Sequence, residues 1–159
     1  MDAIAIRKAV EKIGSREAYL ATGIALAIDF GILAFSLCQD KSGNVDVGAI
    51  WSYVIFAFWL VVFGQRFGKR TARFISTHLH ASWLAGIFCA FLTLWVASSV
   101  TGMFCWVFGV ASFPTERSLD NFWLCAGVMP IVMIVYSSVF LFVHGIWFGS
   151  RIASKINEL

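Results

Sequence analysis

Asp29 stands in the run GIALAIDFGILAF, residues 23–35, whose other side chains all suit lipid. A carboxylate in the middle of a membrane-spanning helix costs about 2.5–3.5 kcal/mol on insertion scales, so such a residue faces other helices or a wet cavity. Thr22, Asp29 and Ser36 recur every seven residues and form one polar stripe, while Gly23, Ala27 and Gly31 recur every four and form a small-residue stripe. Small residues at this spacing let helices approach closely. The helix is therefore expected to meet protein on two sides, its own chain on one and a groove or a second subunit on the other. Counting from the ends of the apolar runs puts Thr93, Tyr136 and Ser137 at the depth of Asp29. Such a carboxylate can contact a polar substrate, hold a proton, pair with an arginine, or be hydrogen-bonded by a hydroxyl in a packing role. The residues alone leave these open.

A second group with chemistry in it is Gln65, Arg66, Lys69, Arg70 and Arg73, at the end of another apolar run. Arginine forks onto phosphate oxygens, so the cluster can hold a phosphate, with Arg66 nearest the apolar boundary. The plainer reading is a basic anchor on lipid headgroups. His78 and His80 form HLH without a nearby Cys or carboxylate, and His144 stands apart, so no metal site is expected. Cys38, Cys105 and Cys125 fall near one set of helix ends and Cys89 inside a helix, with no spacing that selects a pair. No phosphate-binding glycine loop, hydrolase motif or nucleophile–His–carboxylate set is present, so neither an enzyme nor a cofactor is expected.

The elements that position these groups follow from composition. Of 159 residues 60% are hydrophobic and only 13% charged, with a mean hydropathy of +0.82, too little polarity to cover a water-soluble globule. The formal net charge of +3 gives no case for nucleic acid. A span needs about 20 apolar residues. Residues 18–38, 47–65, 81–102 and 122–149 qualify, giving an all-α membrane protein of four transmembrane helices in two hairpins. Residues 103–113 read as aromatic interface material, and Pro130 is expected to bend the fourth helix. Trp51, Trp83, Trp106, Trp123 and Trp147 fall near the boundaries as an aromatic belt, with Trp59 and Trp95 deeper.

Ten of the 12 Lys and Arg lie in segment 1–17, in the loop after the second span, or in tail 151–159, leaving Lys41 and Arg117 on the other side. Positive residues mark the cytoplasmic side, so both termini are expected there, in a multi-pass protein of the inner membrane. Segment 1–17 has no signal-peptide core. Its Ala3, Ile6, Val10 and Ile13 instead suggest an amphipathic helix lying on an anionic membrane surface. The ends of the second and fourth spans also match: RFGKR (66–70) and WFGSR (147–151) share Phe67/Phe148, Gly68/Gly149 and Arg70/Arg151. The first and third spans open alike, with YLATGI (19–24) and WLAGIF (83–88). Two hairpins of one orientation make a parallel repeat.

The run YLATGIALAIDFGILAF with its mid-span Asp resembles the first span of GtrA-like membrane proteins, which are small four-span proteins of two hairpins. The similarity covers about residues 16 to 151. The family's Asn-Arg before Thr/Val-Phe corresponds to Gln65-Arg66 with Phe67, and its second copy to His144-Gly145-Ile146-Trp147-Phe148, which keeps Trp and Phe but lacks Arg. The resemblance implies translocation of a polyprenyl-phosphate-linked sugar, or assistance to a glycosyltransferase, in cell-surface polysaccharide synthesis. Under it Arg66, Lys69 and Arg70 would hold the lipid phosphate, Asp29, Thr93, Tyr136 and Ser137 would line a groove for the sugar, and the motif residues Gln65 and Trp147 would also bind substrate. Membrane lipids, a glycosyltransferase and a second copy of the chain are then the expected partners. A toxin-immunity or exclusion protein, or an accessory subunit of a larger membrane complex, are the competing expectations.

Overall fold

The computed structural model describes residues 3–39, 47–109 and 118–159. The side chains of Ala3, Ser36 and Cys38, and all of Lys41, residues 110–113 and Arg117, lie outside what is described. The described chain is helical: α1 (Ala3–Gln39), α2 (Val47–Thr77), a single 3₁₀ turn (Leu79–Ala81), α3 (Ser82–Phe108), α4 (Leu119–Trp123), a π-helical turn (Leu124–Val128) and α5 (Met129–Asn157). Three helical stretches are long and apolar enough to cross a membrane: Ile50–Thr77, Leu79–Phe108 and Leu119–Asn157. Helix α1 carries the remaining apolar run and Asp29. Phe30, Phe58, Phe88, Val135 and Val139 are all exposed. Exposed apolar surface of this extent marks a face that meets a membrane or another protein.

The hairpins α1–α2 and α3–α5 are the most extensively packed pairs, and α2 joins them by packing on α3. Both close on glycine. A Cβ on Gly68 would meet Ala18 and the Gly14 carbonyl, and a Cβ on Gly149 would meet the Ser82 carbonyl and Gly86. One turn earlier, Gly64 faces Thr22 and Gly145 faces the Gly86–Ile87 backbone. The matched motifs RFGKR and WFGSR thus do the same packing job in each hairpin. Their partners pair Gly14 with Ser82 and Ala18 with Gly86, so the YLATGI/WLAGIF match is displaced by one helical turn.

Several boundaries differ from the sequence reading. Helix α3 does not stop near Gly102 but runs to Phe108, where Gly109 in the left-handed region (φ 63°, ψ 42°) sends its N–H to the Cys105 carbonyl and ends the helix. Pro130 sits just after the π-helical turn and is fully buried. The wider turn accommodates the N–H that proline lacks, and it lies so close to α3 that a Cβ on Gly102 would meet the Cys125 carbonyl.

The largest departure is at the N-terminus. At about 1.5 Å per residue the 37 residues of α1 reach roughly 55 Å, against about 30 Å of hydrocarbon. The excess is unbroken helix, so segment 1–17 is not a separate surface helix. Val10 and Ala18 pack with Ala72, Ile75, Phe148 and Ile152 in one apolar cluster with the extensions of α2 and α5. Ile6, assigned to the same apolar face, is exposed.

Charge pairs brace this end. Glu11 accepts hydrogen bonds from Arg73 (2.9 Å) and Arg7 (3.3 Å). Glu17, buried, accepts from Arg151 at 2.6 Å, and the Arg151 guanidinium lies 5.2 Å from the centre of the Trp147 ring. Desolvation opposes ionisation of Glu11, but the hydrogen bonds and charges of Arg73 and then Arg7 together outweigh it and hold the carboxyl below its ordinary value.

Candidate functional site

Asp29 lines a small cavity between α1, α2, α3 and α5. Thr22, Thr93, Ser137 and His144 line it too, among apolar neighbours that include Leu60, Leu141 and Phe148. Thr93 and Ser137, which depth counting groups with Asp29, line the cavity with it, as does Thr22 of the Asp29 stripe. Tyr136 is different: at 86% exposure it points away from the bundle. Adjacent helical residues are about 100° apart, so only one of Tyr136 and Ser137 can face inward. Among the described residues the Asp29 carboxylate has no hydrogen bond or ion pair, and Arg66 is exposed elsewhere. The hydroxyl of nearby Tyr53 donates to the Leu26 carbonyl at 3.0 Å, and that of Thr22 to the Ala18 carbonyl at 2.7 Å. The cavity measures about 80 Å³, far below the roughly 300 Å³ of small-molecule sites. A sugar ring enters it only if the helices part.

The small-residue stripe behaves differently from its polar neighbour. Gly23 and Gly31 face open space and Ala27 is exposed. The chain's own close packing uses Gly14, Ala18 and Ala21 instead. Among the described residues the expected close approach at Gly23, Ala27 and Gly31 is therefore not made, because α2 and α5 pack on the other side of α1.

The basic cluster also resolves into separate roles. Arg73 belongs to Glu11. Arg66 and Lys69 are exposed and Gln65 is half-buried. Arg70 lines a second, larger recess of about 540 Å³ between α2 and α3. Its walls are Phe67, Thr71 and Phe74 on α2 and Leu84, Ala85, Phe88 and Leu92 on α3. Phe67 ends an aromatic ladder on α2, stacked on Phe63 at 6.1 Å, which stacks on Trp59 at 5.4 Å. The recess thus combines one guanidinium, one hydroxyl and a long apolar wall. Trp147 lies elsewhere, packed against the core and under Arg151.

Sequence reasoning missed His144 as a cavity residue, the Glu17–Arg151 pair and the recess itself. A signal for the first existed: His144 lies seven residues, two helical turns, after Ser137. For Glu17 the signal was weaker, a lone acid among basic residues just before the first span. Comparison with known protein families, curated proteins and solved structures found no match to this chain.

Proposed function

We propose that the protein is a four-span inner-membrane protein with cytoplasmic termini that binds a long-chain lipid through its phosphate, and that this lipid is a polyprenyl-phosphate-linked sugar. The protein moves it across the membrane or presents it to a glycosyltransferase in cell-surface polysaccharide synthesis. The observation that carries the reading is the α2–α3 recess, where Arg70 stands beside a wall of apolar and aromatic side chains. A guanidinium forks onto phosphate oxygens, and the apolar wall, continued by Phe63 and Trp59, suits a hydrocarbon chain. The topology rests on the positive residues gathered at one end, and the resemblance to GtrA-like proteins supplies the sugar.

The test is translocation of a labelled polyprenyl-phosphate sugar in vesicles containing the purified protein. A charge-assisted hydrogen bond contributes about 1.5–3 kcal/mol, so Arg70→Ala should slow transport about tenfold or more. Equal rates in wild type and variant would overturn the role of Arg70. A reading as accessory subunit is favoured by one observation, the unpartnered Gly23, Ala27 and Gly31 face. Co-purification at fixed stoichiometry with a large membrane partner would support that alternative.

A further inference from the structure

The cavity around Asp29 is separate from the recess at Arg70 and has its own chemistry. Its α1 wall runs from Ala18 to Asp29, eleven residues or about 16 Å. Polar groups are spaced along it from three helices: Thr22 and Asp29 from α1, Thr93 from α3, Ser137 and His144 from α5. The His144 ring lies at the level of Ala21, whose carbonyl is its hydrogen-bond partner. Asp29 is at the other end, eight residues or about 12 Å further along α1. A volume of about 80 Å³ holds roughly five to eight waters at 10–15 Å³ each. That number, in a file, spans the distance from His144 to Asp29. The space is too small for a sugar and suited to a chain of waters bridged by hydroxyls.

The titratable groups facing Asp29 can be named from each element. Tyr53 comes from α2, with its hydroxyl committed to Leu26; Cys89 comes from α3 and His144 from α5. No Lys or Arg lines the cavity among the described residues. A half-buried carboxylate with no cation lining its cavity, among apolar helices, is stabilised by taking up a proton.

We propose that the cavity is a hydrated proton site, in which Asp29 takes up one proton delivered along the water file from the His144 end. Uptake forms one O–H bond at an Asp29 carboxylate oxygen and leaves a water where a hydronium ion stood. Release reverses the step, and no redox partner is involved. His144, Thr93 and Ser137 are positioning residues that hold the waters.

The test uses the full chain in vesicles of zwitterionic phospholipid without polyprenyl phosphate, so it does not depend on lipid binding. Dicyclohexylcarbodiimide, which reacts from the lipid with protonated carboxyl groups, is added after a jump from alkaline to acidic pH. The Asp29 peptide is then quantified by mass spectrometry. The expected result is an Asp29 adduct that grows severalfold as pH falls. Proton uptake itself, followed in stopped flow as the rise of the Asp29 carboxylic C=O infrared band, is slowed severalfold in His144→Phe and in the shape-conserving Thr93→Val, with the same final adduct yield. An adduct independent of pH, no adduct at Asp29, or unchanged kinetics in a Thr93→Val protein of wild-type helicity would overturn the proposal.

Discussion

Glu17 shows at the level of a single residue how two halves of the chain are tied together. It is buried on α1, and its partner Arg151 lies 134 residues away on α5, stacked over Trp147. Removing one member of a buried pair is costly because the other charge is left uncompensated, by about 3 kcal/mol or more. Arg151→Ala should therefore lower the thermal midpoint in detergent more than Glu17→Gln, which removes the buried charge while keeping its shape. Tryptophan fluorescence on heating reads both, and the reverse order would contradict the assignment. The sequence offered these two residues with no means of pairing them, because only the packing of α1 on α5 brings them together. It did offer Asp29, Thr93 and Ser137 as one group, because depth in a membrane can be counted from helix ends. Counting depth says nothing about direction around the helix, which is why Tyr136 was grouped with them and is exposed on the outside of the bundle instead.

At the level of helices, close approach through glycine decides which faces meet. Gly149 and Gly86 lie where a Cβ would strike backbone of the partner helix. Overpacking of this kind costs about 1–3 kcal/mol. Gly86→Ala and Gly149→Ala should each reduce the thermal midpoint, while Gly23→Ala, with nothing within 4 Å, should leave it level or raise it, since alanine favours helix. Size-exclusion recovery after graded heating separates the two classes, and a loss for Gly23→Ala equal to that for Gly86→Ala would show that the Gly23 face is packed in the protein as isolated. The repeated F-G-x-R in α2 and α5 was readable as a repeat and proved to be the packing motif of each hairpin. The helix ends were not readable, because α1, α2 and α5 pack on one another beyond the apolar runs, and tertiary contact there extends helices that hydropathy alone would end.

The described chain divides into an apolar helical bundle and a short bundle of helix extensions, with the apolar cluster around Ile75 and Ile152 and the charge pairs at the latter end. Glu11, held below the ordinary carboxylate range mainly by Arg73, stabilises the α1–α2 extension whenever pH is above the unfolded glutamate value of about 4.3. That contribution falls away as pH drops through the lowered folded value. Spin labels on the extensions of α1 and α2 should therefore report a fixed distance at neutral pH and a broadened one only in acid, with Glu11→Gln broadened at both. No acid transition in the wild type, or a variant indistinguishable from it at neutral pH, would show that the pair does not hold the extensions.

The central claim is that the recess between α2 and α3 takes a lipid by its phosphate. Native mass spectrometry of the protein released from micelles, with polyprenyl phosphate and with the corresponding polyprenol, measures this directly. The account predicts an adduct with the phosphate and little with the alcohol, reduced about tenfold or more in Arg70→Ala and largely kept in Arg66→Ala. Equal binding of phosphate and alcohol, or full retention in Arg70→Ala, would contradict it.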